Sequence, residues 1–517
     1  MSSERNRKLF GRLIFGVACG VSGGVLALLV TALVFLGNRP DLSVWHTAKL
    51  DEEFTAASEV ESFLQYLKLE DRLFAQLNSQ VYDNINAGDK TEINRYNRGS
   101  LTDPDAQSTN WNRSFEFPNA DAHAGVLLIH GLSDSPYSLH SIGESLSADG
   151  AWVLGLRVPG HGTAPSGLVY TRWQDMEAAV RLAMSHLRMR MADRPIYIVG
   201  YSNGAALALL YALETLSDES LPKAEGLVLI SPEIGISNLA ALAVWQSRFG
   251  RLLRLPKLSW KSVSIEYDPF KYGSFAVNAG DQAYRLTMKI QQRITLEGNR
   301  DTLSLMPPIL AFQSVVDATV SAPALIEGLF DRLPQGDHEL VLFDVNQHAV
   351  IDHLLQDRTR DTLESLLEDR ELEFTVTFVT NASETSSAMV ARSYPSMRDE
   401  ITEFPIEQVW PSQVYSLSHV ALPIRPDDPL YGLAENPDYD GIRLGNIALR
   451  GERGVLRVDP SAFLRLRSNP FYDYQLKRIL DFVNKAESDL DRNSRLPRPY
   501  IFTHPTDSNN SLTEPRR

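Results

Sequence analysis

The sequence is poor in cysteine, holding only Cys19, so no disulfide can form within the chain, and no cluster of Cys and His occurs at metal-ligand spacing. It also lacks a basic excess: 50 Lys and Arg stand against 65 Asp and Glu, a net charge of −15. That sign argues against nucleic acid as a partner, because phosphates must be neutralised by a basic surface. No internal repeat is visible, which sets aside solenoids and propellers. Charge is absent altogether from Leu13 to Asn38, a stretch long enough to cross a bilayer as a helix with some tilt.

What precedes that stretch gives it a direction. Arg5, Arg7, Lys8 and Arg12 face a single acid, Glu4, so the positive-inside rule puts residues 1–12 in the cytoplasm. Everything after Arg39 then lies on the far side, periplasmic if the organism is Gram-negative. The bulky Val34-Phe35-Leu36-Gly37-Asn38 is unlike a small-residue cleavage site, so residues 13–38 read as an uncleaved signal anchor. Gly16, where a lipoprotein signal has a large aliphatic residue, argues against lipid on Cys19. Gly16, Gly20 and Gly24 share one helix face and form a candidate homodimer contact within the membrane.

Residues 39–110 read as a helical stem and linker. Apolar positions from Leu50 to Val81 recur near helical spacing, which predicts an amphipathic helix packed on its own domain, and polar residues 84–110 predict a connecting loop. From Arg113 strand and helix patterns alternate: strands at Arg113–Phe117, Gly125–Ile129, Ala151–Leu156, Ile196–Tyr201 and Leu227–Ile230, with a helix over Trp173–Met191. The alternation lapses between Gly235 and Met306, where Trp245, Trp260, Tyr267, Phe270, Tyr272 and Phe275 collect, and this predicts a cap at about 235–306. It resumes with a strand at Ile309–Ser314, a helix near Ala322–Leu333 and a strand at Glu339–Phe343. Beyond these, strand-like Phe374–Val379 and Val414–Leu417 precede a helix at about Tyr474–Lys485, and the polar residues 491–517 predict a disordered tail.

The most informative segment is Gly200-Tyr201-Ser202-Asn203-Gly204, which interrupts the apolar run Ile196–Val199 and continues as an Ala- and Leu-rich helix. A serine at the tip of a sharp strand-to-helix turn needs a strained backbone, and glycines two before and two after remove the Cβ atoms that would collide. The turn aims the new helix's N-terminus at the hydroxyl, so the Asn203 N–H becomes one oxyanion donor. Leu127-Leu128-Ile129-His130-Gly131-Leu132 ends another strand, and the Leu132 N–H supplies the second donor.

With Pro159-Gly160-His161-Gly162 added, the chain resembles the α/β-hydrolase superfamily, in the branch of monoacylglycerol lipases, lysophospholipases and bacterial carboxylesterases. The resemblance covers roughly Arg113 to His348. It implies an α/β-hydrolase domain over about 111–490, with a mainly parallel sheet, helices on both faces and a cap insertion. It implies no cofactor and no metal, and the order nucleophile, acid, histidine. His130 and His161 are then loop-organising residues.

The acid is expected after the strand Ile309–Ser314, where Asp317 stands in Val315-Val316-Asp317-Ala318-Thr319-Val320. Two histidines compete as base. His348 has the ordinary family spacing but opens into a charged helical stretch; His419 lies much further on, in an apolar setting stiffened by Pro423, Pro426 and Pro429. The favoured set is Ser202, Asp317 and His419, with His348 as the alternative base and residues 346–413 as an insertion. The expected reaction is cleavage of lipid-like carboxylic esters through an acyl-serine intermediate. A thioesterase or peptidase using the same residues, or a non-catalytic binding protein on the same fold, are the competing readings.

Overall fold

The computed structural model describes residues 39–234, 256–296, 300–317, 319–347, 372–383, 385–396, 400–434, 441–447 and 464–485, together with Gly16, Gly20, Gly23, Gly24 and Gly37. The expected membrane span therefore lies outside the described residues except for those glycines, which are helical and exposed, with nothing within 4 Å of where a Cβ would stand. Among the described residues no helix is long and apolar enough to cross a membrane. His348, Trp245 and the expected tail from 491 also fall outside them.

Strands β1 (Phe115–Phe117), β2 (Gly125–Ile129), β3 (Trp152–Leu156), β4 (Ile196–Tyr201) and β5 (Gly226–Ile230) open the fold. A small ribbon of β6 (Trp260–Ser262) and β7 (Phe275–Ala276) follows. Then come β8 (Ile309–Ser314), β9 (Glu339–Phe343), β10 (Thr375–Asn381), β11 (Met389–Tyr394) and β12 (Thr402–Ile406). All but the ribbon form one ten-stranded sheet in the order β1-β3-β2-β4-β5-β8-β9-β10-β11-β12. The seven strands from β3 to β10 in that order are parallel, and β1, β11 and β12 are antiparallel edges.

Continuous apolar runs such as Gly125-Val-Leu-Leu-Ile are what a sheet covered on both faces requires. Leu127 and Ile129 of β2 point into one core, Val126 and Leu128 into the other. The first core is filled by α1 (Phe63–Gln80), α3 (Trp173–Met191), α4 (Asn203–Thr215), α5 (Val277–Leu296) and α6 (Ala322–Gly328). The second is filled by α2 (Tyr137–Ala148) and α7 (Tyr472–Val483).

Several expectations change. The helix expected over Leu50–Val81 starts only at Phe63, where the Ser62 hydroxyl caps the Gln65 N–H, and the residues before it are turns. The helix itself packs on the domain: Phe63, Tyr66 and Leu69 enter the main core, and buried Arg157 pairs with Glu70 at 3.0 Å and with Glu53 at 2.9 Å. In the expected cap, α5 buries Leu286, Ile290 and Ile294 in the same core as α4, so this half is a layer of the domain. Residues 256–276 pack beside the start of α5, with Trp260, Tyr272 and Ala276 in a separate small core with Leu168, Val169 and Ala279. Val414–Leu417 is irregular rather than a strand, while β11 and β12 carry the sheet onward inside the expected insertion.

Candidate active site

Ser202 follows β4 with φ +55° and ψ −116°, in the region a non-glycine residue enters only when its surroundings hold it there. They do so tightly. A Cβ on Gly204 would lie 2.0 Å from the Ile129 carbonyl oxygen, and one on Gly200 would lie 2.5 Å from the Ala205 Cα. Either substitution would force α4 away from the strand ends, so the glycines let the helix start immediately behind the hydroxyl.

The Ser202 hydroxyl donates to His419 Nε2 at 2.9 Å, and the His419 Nδ1–H donates to Asp317 Oδ2 at 2.9 Å. Ser202 leaves β4 and Asp317 leaves β8, both at the carboxyl ends of parallel strands. His419 takes a longer route. The chain passes β9, runs out along β10, β11 and β12, and returns where it left: Asn346 after β9 donates its N–H to Tyr415 O at 2.8 Å and its side-chain amide to Val414 O at 2.9 Å. Ser314 at the end of β8 donates to Leu417 O at 3.0 Å. His419 then opens a short 3₁₀ turn, with Leu417, Ala421 and Leu422 buried around it.

Asp317 is fully buried on its side chain and accepts from Gln313 Nε2, Thr319 N–H and Val320 N–H as well as from His419. Burial pushes its carboxyl up, but the hydrogen bond and electrostatic attraction of His419, aided by the two backbone N–H groups, hold it below the usual carboxylate value. It therefore stays ionised and fixes the ring with Nδ1 protonated and Nε2 free to accept.

Among the described residues, neither the Leu132 nor the Asn203 backbone N–H donates to a protein acceptor. Gly131 lies against this corner, since a Cβ there would be 3.2 Å from Ser202 Cβ. His130 braces the loop from behind. Val158 N–H donates to its Nε2 at 3.0 Å, so Nδ1 carries the proton and donates to Gly131 O at 2.9 Å. Burial, then the neighbouring His161, keep the ring neutral far below its ordinary range. Tyr272 ties the same loop to the 256–276 segment, donating its N–H to Ser133 O and accepting Thr163 N–H on its hydroxyl, both at 2.8 Å.

Residues 120–353 match the hydrolase family described as Serine aminopeptidase, S33. Ser202 and Asp317 lie within the matched residues, on the carboxyl edge of the parallel sheet, and His419 lies beyond them. The fold is that of an α/β-hydrolase. The chain is similar to the thermostable monoacylglycerol lipase of Bacillus sp. (strain H-257), 32% identical over 117 residues, or 23% of this chain. The match spans less than half, 44%, of that relative's length. Among solved structures, the metagenome-derived lipolytic enzymes LipS and LipT give a TM-score of 0.36 at 18% identity, over 51% of this chain and all of that one. A soluble variant of monoglyceride lipase from Saccharomyces cerevisiae gives 0.37 at 15%, over 49% and 89%.

Several supports of the site carry no sequence signal. Asn469 Nδ2 and Gln475 Nε2, both on buried side chains, donate to Leu422 O at 3.2 and 3.0 Å and so hold the turn that carries His419 from the start of α7. Glu233, just past β5, was not foreseen either; burial, then the Asp317 charge, lift its carboxyl to about 7. Among the described residues no group of His, Cys, Asp or Glu is placed to hold a metal ion.

Proposed function

We propose that the chain is a serine hydrolase that cleaves carboxylic esters with lipid-like acyl groups through an acyl-Ser202 intermediate. One observation carries the reading: the unbroken relay from the Ser202 hydroxyl through His419 to Asp317, two hydrogen bonds of 2.9 Å. In this mechanism His419 Nε2 takes the serine proton as the oxygen attacks the ester carbonyl. The Leu132 and Asn203 N–H groups receive the oxyanion, and the imidazolium returns its proton to the departing alcohol. Water then repeats the cycle on the acyl-enzyme. Asp317 remains a carboxylate throughout, stabilising the charged ring.

The uncharged run from Leu13 to Asn38, with four basic residues before it, supports a signal anchor holding the catalytic domain outside the cytoplasm. The Bacillus relative's name supports a lipid ester, and the family description supports peptide cleavage as the second reading. A fluorophosphonate probe should label the wild type but not Ser202→Ala, which should lose at least ~10³-fold in turnover. On a matched panel of acyl esters, thioesters and aminoacyl amides, kcat/KM should be highest for esters and rise with acyl length; amides preferred over esters would favour the peptidase.

A further inference from the structure

We propose that the cavity beside the triad receives the alcohol half of the ester and selects alcohols that carry one negative charge. This rests on the ester-hydrolase reading above and adds the chemistry of the leaving group. The cavity, about 300 Å³, is walled by Val420 and Ile424 from the His419 turn, by Asp134 and Ser138 from the segment after the oxyanion loop, and by residues of the 267–273 segment. Val420 joins it to the triad, since it follows His419 in the same short 3₁₀ turn. Because His419 must hand its proton to the leaving oxygen, the alcohol sits against the histidine. Its remainder extends past the turn that carries Val420.

The cavity's charge is what decides the ligand. Five of its lining residues are charged: Asp134, Asp268, Lys271, Arg465 and Arg467. The acids are already engaged. Asp268 accepts the Tyr431 hydroxyl at 2.7 and 2.8 Å and the N–H groups of Phe270 and Lys271 at 3.0 Å. Asp134 is buried and accepts the Ser135 N–H. Lys271 Nζ stands 3.9 Å from Asp134, too far for a hydrogen bond, whereas Arg467 is engaged, its Nη2 donating to the Tyr267 hydroxyl at 3.4 Å and its Nη1 lying 3.9 Å from Asp268. Arg465 is exposed at the cavity wall. With both acids ionised, the lining therefore carries one net positive charge. The Arg465 guanidinium and the Lys271 ammonium suit a phosphodiester or a carboxylate, and a plain glycerol leaving group has no use for them. The anion takes no part in bond making; it leaves with the alcohol when the Ser202 ester forms.

The test compares hexanoyl esters of glycerol, of glycerophosphoglycerol and of 4-hydroxybutyrate on the full chain, with rates normalised to fluorophosphonate-reactive Ser202. The wild type should prefer an anionic ester over the glycerol ester. In Arg465→Ala the ratio of their kcat/KM values should fall about ten-fold, mainly through KM, the scale of one charge-assisted hydrogen bond. Arg465→Glu should lower it further. Which anionic ester responds separates a phosphodiester from a carboxylate. A ratio indifferent to both Arg465 variants, or preference for the glycerol ester, overturns the inference while leaving the ester-hydrolase reading intact. Should none of the three esters turn over although Ser202 is labelled, the ester reading itself fails and takes this inference with it.

Discussion

At the scale of single residues, one imidazole satisfies two demands at once: Nε2 reaches Ser202 and Nδ1 reaches Asp317. Only one ring can occupy that place. His419→Ala should therefore lose activity nearly as completely as Ser202→Ala, by ~10³-fold or more in kcat, whereas His348→Ala should keep most of it; steady-state assays of both variants decide. The loop histidines make a separate prediction about stability. Burial holds His161 at about 4, against an ordinary value of 6.5. The unfolded chain thus takes up this proton first on acidification. The contribution of neutral His161 is complete above pH 6.5 and is lost as the pH falls from 6.5 towards 4. A His161→Gln variant has nothing to titrate there, so the wild type's advantage in melting temperature should shrink across that interval. An advantage that grows with acid would contradict the buried neutral ring.

Among elements, α1 and the turns before it are bound to the β3 end by charge as well as by packing. The Arg157 guanidinium is wholly buried between Glu53 and Glu70, and the Tyr66 hydroxyl donates to the Arg157 carbonyl at 2.6 Å. Gly160 N–H also donates to Glu53, and Arg157 Nη1 donates to His161 O, so the stem holds the 160–161 loop that lies against His130. Arg157→Ala should cost about 3–5 kcal/mol in urea unfolding, because two carboxylates are left without their counter-charge. A loss below about 1 kcal/mol would mean water already reaches the pair. This arrangement could not be read from the sequence, where Glu53, Glu70 and Arg157 look like ordinary surface charges. The Ser202 turn was legible because its constraint is local: five residues and the two flanking patterns fix it.

For the whole molecule, the ten-stranded sheet brings to one edge groups that are far apart along the chain, and the extra strands β10 to β12 account for the distance between β9 and His419. The apolar setting around His419 marked it as held in place, but nothing local in it names the loops that hold it. The position of the protein in the cell is a question for the residues before Arg39. With the charge-free run behind a basic cluster, a reporter active only outside the cytoplasm should be active when fused after Arg517, and the full-length protein should stay in the membrane after a carbonate wash. Release of a shortened soluble form would instead establish cleavage.

By itself the sequence determined what short-range sterics and periodicity control. Gly200 and Gly204 around Ser202, the runs that became β2, β4, β8 and β9, and the loop position of Asp317 all follow from a few neighbouring residues. Tertiary structure alone decided what depends on contacts between distant segments. Asn346 receives the chain returning at Val414 and Tyr415, Asn469 and Gln475 clamp Leu422, and α5 joins the core layer instead of covering the site. The physical reason is the same in each case. A hydrogen bond or packed face between residues tens to more than a hundred positions apart leaves no periodic mark on either segment, whereas a strained turn must be written into its own glycines.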